Sequence, residues 1–257
     1  MKKIIFLFIL GLSLGGLYGN GPPAEAQGLF LPSVFNAYCP NPQLSFNFLA
    51  FGDSITGCYY DSYYLTDFPN CGYEKRIYDR LQQEFGYCQD KLAFFNKSEG
   101  GETTSGGLLR FYDTITFPTR NNPRLYPTTA TATVPDLVII MEGTNDMNVG
   151  IPDVTIAENL RTMIDIAFGQ GKQVILATIP PAFGADEVER QARIQQFNPT
   201  IFQIGLEKGI PIADVYGRLA GHPEWAAADG LHFNDAGFDQ MADVFYQVLV
   251  PLLGLGN

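Results

Sequence analysis

Histidine is scarce in this chain, and this limits the residues that could act as a catalytic base. His222 and His232 are the two histidines among 257 residues. Histidine is the side chain that most often accepts a proton during catalysis near neutral pH. Only two positions are therefore candidates for an imidazole base. Neither histidine lies near a C-x-x-C pair, because the sequence contains none, and a zinc site is therefore the weaker alternative for its cysteines.

Basic side chains are also in short supply. The chain has 16 Lys and Arg against 27 Asp and Glu, which gives a formal net charge of −11 at pH 7. An acidic chain without a cluster of Lys and Arg lacks the usual means of binding nucleic acid or an anionic membrane surface. We therefore expect no nucleic-acid partner, and a polyanionic substrate is disfavoured.

The sequence has no apolar run of the length that a membrane span needs. The run Ile4–Leu17 follows Lys2 and Lys3, and it falls short of the roughly 18 residues of a spanning helix. Small residues around Ala26 complete the pattern of a secretory signal peptide over residues 1–26. We expect a secreted or periplasmic protein cleaved near Ala26, with no integral membrane partner. An uncleaved N-terminal anchor is the alternative.

The four cysteines all lie between Cys39 and Cys88. Disulfides are the default in an exported protein, and four cysteines allow three pairings. Our hypothesis is Cys58–Cys71 and Cys39–Cys88, because the first pair would close a loop that starts just after Ser54.

Apolar periodicity predicts strands that alternate with helices. Residues 27–44 are rich in Pro and Asn and are interpreted as an arm that leads into one domain, residues 45–257. The predicted strands are Phe46–Phe51, Leu92–Phe95, Asp136–Met141, Gln173–Ile179 and Pro211–Val215. The predicted helices are Tyr73–Phe85, Thr103–Ile115, Ile156–Phe168, Asp186–Lys208 with a break before Pro199, and Ala236–Leu253, with a surface loop over Asn121–Val134. This pattern predicts an α/β fold, a three-layer α/β/α sandwich around a five-stranded parallel sheet.

Polar segments follow these strands at the edge where ligands of parallel sheets gather. They are Ser54, then Gly100–Thr103, Gly143–Asp146 and Asp229–His232. A serine hydroxyl needs a base within hydrogen-bond reach to act as a nucleophile. Asp229 precedes His232 by three residues, a spacing at which one tight turn presents both side chains together. His222 has no such carboxylate before it.

The four segments carry a family resemblance. The segments F-G-D-S-I-T-G, N-K-S-E-G-G-E-T-T, M-E-G-T-N-D and D-G-L-H-F-N-D-A-G, in this order, resemble the four blocks of the GDSL or SGNH hydrolases. The resemblance runs from about Phe46 to Leu253 and implies the flavodoxin-like fold of that family. It also implies a serine esterase that needs no metal or organic cofactor and acts on a small-molecule or glycan ester.

Carried over by position, the resemblance implies a nucleophile at Ser54, a base at His232 and an orienting carboxylate at Asp229. The oxyanion donors would be the backbone N–H groups of Ser54 and Gly101 and the side-chain amide of Asn145. The choice of Gly101 over Gly100 depends on its spacing from the start of the second block.

Each segment also has a plainer interpretation. Asp and Ser often form turns or helix caps, the segment Gly143–Asp146 could be a β-turn, and His232 could be a buried histidine that is satisfied by hydrogen bonds. Asp53 is expected to bond to its own loop, and Asp146 to cap the turn that positions Asn145. Asn234 and Asp235 are expected to cap the last helix.

Tyrosines are concentrated just after Ser54. Tyr59, Tyr60 and Tyr63 are the predicted substrate-binding residues, within a loop that also holds Tyr64 and Tyr73. A tyrosine pairs an apolar face with a hydroxyl group, which suits stacking on a sugar ring. These rings could equally pack the loop against the domain.

The blocks are most similar to those of acetyl-xylan-esterase-like members of the family. The expectation is a carbohydrate O-acetyl esterase. A lysophospholipase, lipid esterase or thioesterase of the same family is the alternative. A glycan-binding protein without catalytic activity is the alternative from another class.

Overall fold

The computed structural model describes residues 45–62, 71–86, 91–120, 125–126 and 134–254. All of them belong to one compact unit that spans residues 39–257. The predictions of a signal peptide (1–26), of an arm (27–44), of a Cys39–Cys88 disulfide and of a substrate-binding Tyr63 lie outside the described residues, as does Tyr64.

A six-stranded sheet forms the middle layer, with the strand order β3-β2-β1-β4-β5-β6. Strands β1, β2, β4, β5 and β6 run parallel, and β3 pairs antiparallel with β2 at one edge. The strands are β1 Phe46–Gly52, β2 Leu92–Ser98, β3 Leu125–Tyr126, β4 Leu137–Met141, β5 Gln173–Ala177 and β6 Ile212–Ala213.

The sheet confirms the predicted α/β class and the five parallel strands, and it corrects the strand count. Leu125–Tyr126 was predicted as part of a surface loop, yet these residues pair with Phe95 and Phe94 of β2. Leu125–Tyr126 lies in a segment rich in Pro and Thr, without the apolar run that indicates a strand, so the sequence pattern does not reveal it.

Seven α-helices in the described residues cover the two faces of the sheet. They are α1 Gly72–Phe85, α2 Thr104–Thr116, α3 Thr144–Val149, α4 Asp153–Gly169, α5 Val188–Lys208, α6 Val215–Leu219 and α7 Asp235–Leu252. Short 3-10 turns occupy Ala185–Glu187 and Pro223–Trp225. None of the helices in these described ranges is long and apolar enough to cross a membrane.

The side chains of β1 point alternately into two hydrophobic cores, one on each face of the sheet. Successive strand side chains point to opposite faces, so Phe48 packs with α1 and α7 while Leu49 and Phe51 pack with α2, α4 and α5. All three side chains are fully buried. The three-layer arrangement follows from this alternation.

Two predicted boundaries are wrong for identifiable reasons. No break occurs at Pro199, which lies inside the continuous helix α5. The tertiary contacts of this helix override the local preference, because the amide of Asn198 bonds to both the N–H and the carbonyl of Ile179 at 2.9 and 3.0 Å. Val215 was predicted to end a strand, but it begins α6, which Asp214 caps through the N–H of Gly217.

Candidate active site

Ser54, His232 and Asp229 form one chain of hydrogen bonds beyond the carboxyl ends of the strands. The Ser54 Oγ lies 2.8 Å from the Nε2 of His232, and the Nδ1 of the same ring lies 2.6 Å from the Oδ2 of Asp229. His232 keeps 13% of its side chain exposed. The imidazole is therefore partly shielded from water and contacts both partners at once.

The loop before α7 fixes the relation between Asp229 and His232. The second carboxylate oxygen of Asp229 accepts the backbone N–H groups of Leu231 and His232, each at 3.0 Å. Burial alone would raise the pKa of Asp229, but the hydrogen bonds from the His232 ring and these two N–H groups outweigh it and lower that pKa. A carboxylate held ionised in this way can stabilise a positive charge on the imidazole.

The turn after β1 presents Ser54. The Gly57 N–H donates to the Asp53 carbonyl at 2.9 Å, and the Tyr59 N–H donates to the Ser54 carbonyl at 3.3 Å. Gly52 begins this turn, and a Cβ there would lie 2.6 Å from the carbonyl oxygen of Met141. Only glycine lets β1 and β4 approach this closely just before the serine.

Asn145 reaches the same site from the first turn of α3. Its Nδ2 donates to the Glu102 carbonyl at 2.8 Å and to the Oδ2 of Asp53 at 3.3 Å. Gly101 precedes Glu102 and has φ +76°, in the left-handed region that favours glycine. The structure therefore brings together the loop after β2, the loop after β4 and the turn Asp53–Tyr59, which we call the nucleophile turn. The roles of Gly101 and Asn145 as oxyanion donors stay predictions.

Asp53 bonds to its own loop, as predicted. Its Oδ1 accepts the Ile55 N–H at 2.9 Å, and the residue is only 1% exposed. Burial raises the pKa of Asp53 to about 6, against the opposing effects of the Ile55 hydrogen bond and of the nearby His232.

The prediction for Asp146 is wrong in its partner. The carboxylate of Asp146 accepts the backbone N–H of Thr104 at 2.8 Å and its hydroxyl at 2.6 Å, so it holds the start of α2 instead of capping its own turn. Asp146 thereby ties α3 to the segment that carries Glu102. Asn234 does cap α7, since its Oδ1 accepts the Gly237 N–H at 3.1 Å, and Asp235 is the first residue of that helix.

Buried carboxyl groups near the site are the main feature that the sequence reasoning missed. Glu142 directly follows β4 and is only 2% exposed, and burial together with the carboxylates of Asp53 and Glu102 raises its pKa well above the ordinary value. Behind the nucleophile turn, Glu74 is fully buried, and burial raises its pKa well above the ordinary value. Glutamate directly after a run of buried-type residues was the available signal for Glu142.

Asn96 connects Glu74 to the nucleophile turn. Its Nδ2 donates to the Thr56 carbonyl at 2.7 Å and to the Oε1 of Glu74 at 3.0 Å. Its Oδ1 accepts the Ser98 hydroxyl at 2.7 Å. The turn that bears the nucleophile is therefore fixed from behind by a buried polar network.

Tyr59 and Tyr60 stack beside His232. Their ring centroids lie 5.7 and 5.4 Å from that of the imidazole, at interplanar angles of 25° and 29°. Tyr60 remains 55% exposed. Tyr73 does not join them, because it is fully buried against Phe245 in the core. We call Tyr59 and Tyr60 the aromatic wall.

The predicted Cys58–Cys71 disulfide is present and anchors the aromatic wall to the start of α1, with 6.0 Å between the two Cα atoms. Cys58 and Tyr60 have φ values of 52° and 70°, a region that is strained for residues with a side chain.

His222 is engaged elsewhere. Its Nδ1 lies 2.8 Å from the Oε1 of Glu224, and its ring stacks on Trp225 with centroids 3.9 Å apart. The histidine that reaches Ser54 is His232. Within the part of the chain that the structure describes, no group of three or more His, Cys, Asp or Glu side chains could hold a metal ion.

A serine hydroxyl bonded to an imidazole, which is bonded in turn to a carboxylate, on a three-layer α/β/α fold, has the arrangement of the serine hydrolases. A family model described as the GDSL-like lipase/acylhydrolase family matches residues 50–240. The chain belongs to this family and is a hydrolase of ester bonds.

Individual relatives agree with this assignment. An arylesterase from Vibrio mimicus is 27% identical over 180 residues, which cover 63% of this chain and 72% of that protein. A lipase/acylhydrolase from Enterococcus faecalis is 29% identical, with a TM-score of 0.61 over 81% of this chain and 96% of that one. A variant of an acetyl-xylooligosaccharide esterase from Geobacillus stearmophilus shares the fold, with a TM-score of 0.61, 19% identity, and coverage of 83% of this chain and 96% of that one.

Proposed function

We propose that the chain hydrolyses carboxylic esters through an acyl-enzyme on Ser54. The observation that carries this proposal is the continuous hydrogen-bond chain from Ser54 through His232 to Asp229. In the first step, His232 Nε2 takes the hydroxyl proton of Ser54 while the Oγ attacks the ester carbonyl carbon. Asp229 accepts the hydrogen bond of the imidazolium and stabilises its charge.

The negative charge that develops on the carbonyl oxygen requires donors placed in advance. We assign this role to the backbone N–H groups of Ser54 and Gly101 and to the Nδ2 of Asn145. The imidazolium then gives its proton to the leaving alkoxide, the C–O ester bond breaks, and the acyl group stays on Ser54. Water attacks this acyl-enzyme by the same sequence, with His232 as base, and releases the acid.

For the substrate, we propose a small acyl group, such as acetyl, on a carbohydrate. The exposed ring of Tyr60 stands beside the imidazole, where a sugar that carries the ester could stack on it. The similarity in fold to an acetyl-xylooligosaccharide esterase is consistent with this proposal.

A panel of esters tests the substrate class. The rates on p-nitrophenyl acetate, butyrate and octanoate are compared, and the acetate released from acetylated xylan is measured beside them, with Ser54→Ala as the inactive control. We expect the highest kcat/KM for acetate esters and release of acetate from xylan. A kcat/KM that rises with chain length, together with hydrolysis of a lysophospholipid, would instead assign a lipid esterase.

We also propose that the protein acts outside the cytoplasm after cleavage near Ala26, since the order of charged, apolar and small residues at its start is that of a signal peptide. The N-terminus of the exported protein tests this by mass spectrometry. A start close to Gln27 supports cleavage, and an intact N-terminus in the membrane fraction refutes it.

A further inference from the structure

Asp53 is a buried carboxylate that takes part in none of the steps of the proposed mechanism. It directly precedes the nucleophile, is 1% exposed, and is held by the Ile55 N–H at 2.9 Å. Its other oxygen lies 3.3 Å from the Nδ2 of Asn145. A single rigid residue therefore connects the nucleophile turn to the side chain that would bind the oxyanion.

The amide of Asn145 has two N–H hydrogens, and both have acceptors in the resting site. One acceptor is the Glu102 carbonyl at 2.8 Å and the other is the Oδ2 of Asp53 at 3.3 Å. With Glu102 alone, the amide could still turn about its last torsion, which is broad for asparagine. A second acceptor fixes the plane of the amide. The longer contact is also the weaker one, so the hydrogen that faces Asp53 is the one that an oxyanion can share.

We propose that Asp53 is a positioning residue, whose carboxylate holds the Asn145 amide in the orientation that stabilises the oxyanion. This inference rests on the proposed ester hydrolysis at Ser54. Asp53 does not touch the substrate carbonyl in this account, and its contribution passes through Asn145.

The charge state of Asp53 gives the proposal a second consequence. The charged and titratable groups that face Asp53 are His232 from the loop before α7, Glu142 from the loop after β4, Asp146 from α3 and Tyr73 from α1. Burial raises the pKa of Asp53 to about 6. Below that pH the carboxyl is protonated and becomes a weaker acceptor, so positioning is lost as the pH falls. The acid limb of kcat/KM is therefore expected to include the protonation of Asp53.

The first test is Asp53→Asn, assayed on p-nitrophenyl acetate. Removal of a whole oxyanion donor costs about 10²–10³ in kcat, and loss of its positioning costs part of that. We expect kcat to fall about 10–100-fold and KM to change less than about twofold. Asp136→Asn is the matched control, since it makes the same change just before β4, at the amino ends of the parallel strands and away from the site. Asp136 bonds there to the Asn47 N–H, and the variant should leave kcat unchanged.

A double-mutant cycle separates positioning from a merely structural role. If Asp53 acts through Asn145, then Asp53→Asn should change kcat by less than about twofold in the Asn145→Ala background. Losses that multiply across the two sites would refute the proposal. If the wild-type enzyme is active and Asp53→Asn has the same activity, the positioning role of Asp53 is refuted. If the wild-type protein has no esterase activity, the proposed function itself is refuted.

The pH profile provides a measurement that does not depend on the folding of the Asp53 variant. In wild type, protonation of Asp53 should add a drop of up to about 10–100-fold in kcat/KM as the pH falls through about 6. In Asn145→Ala, with Asp53 intact, this extra drop should be absent, so the profile should be shallower over that range. An unchanged slope would overturn the proposal. The same flattening is expected in Asp53→Asn if that variant keeps its circular dichroism spectrum.

Discussion

Removal of the Cys58–Cys71 disulfide should destabilise the domain by an amount that its loop length sets. The bond joins residues that are 13 positions apart, and the closure of a loop of about 15 residues is worth about 3 kcal/mol in the chain-entropy account. For a domain of this size, 1 kcal/mol shifts Tm by about 2–4 °C. The variant Cys58→Ala/Cys71→Ala is therefore expected to melt about 6–12 °C below wild type.

The two single variants give this prediction its control. Each breaks the same bond, so Cys58→Ala, Cys71→Ala and the double variant should lose similar stability, and the losses should not add. Thermal unfolding followed by circular dichroism measures all three. A shift below about 1 °C in the double variant, or singles whose losses sum to that of the double, would refute the reasoning.

Three further changes have defined outcomes. Asp229→Asn should lower kcat by about 10⁴-fold with an unchanged fold, as loss of the orienting carboxylate does in serine hydrolases, and a steady-state assay measures it. Tyr60→Ala should raise KM for acetylated xylo-oligosaccharides about 2–10-fold with little change in kcat, which is the value of one aromatic stack; equal KM values would remove Tyr60 from the substrate site. The pKa of Glu74 is raised in the folded state. The folded protein therefore keeps the Glu74 proton at pH values where the unfolded chain has released it, and the free energy of unfolding falls as the pH rises above the ordinary pKa of glutamate. Glu74→Gln should therefore gain stability relative to wild type between pH 5 and 8, and melting curves across that range check the sign.

The sequence pattern predicts the parts of the fold that depend on long apolar periodicity. The five parallel strands follow from runs such as the one in β4, which is buried along its whole length. Edge strand β3 lies in a segment rich in Pro and Thr that has no apolar run, and helix α3, with six residues, is too short for a periodic signal. Pro199 shows the opposite case, where a strong local signal is overridden because the neighbouring Asn198 bonds to the strand end across the core.

In the site, likewise, contacts between residues close in sequence could be predicted from their spacing, whereas contacts between distant residues could not. The position of Asp229 three residues before His232 is visible in the chain, and their hydrogen bond follows from one tight turn. The contact between Asp53 and Asn145 joins residues 92 positions apart, and no spacing rule reaches it. Tyr73 lies close in sequence to the predicted substrate-binding tyrosines, but the first turn of α1 points its ring into the core.

The central claim is that Ser54 is the nucleophile, and covalent labelling tests it most directly. The protein is treated with a fluorophosphonate probe, its intact mass is measured, and the modified peptide is sequenced by mass spectrometry. The account predicts one probe per chain, attached to Ser54, with no labelling of Ser54→Ala and slow labelling of His232→Ala. Wild-type protein that stays unlabelled, or labelling that survives in Ser54→Ala, would contradict it.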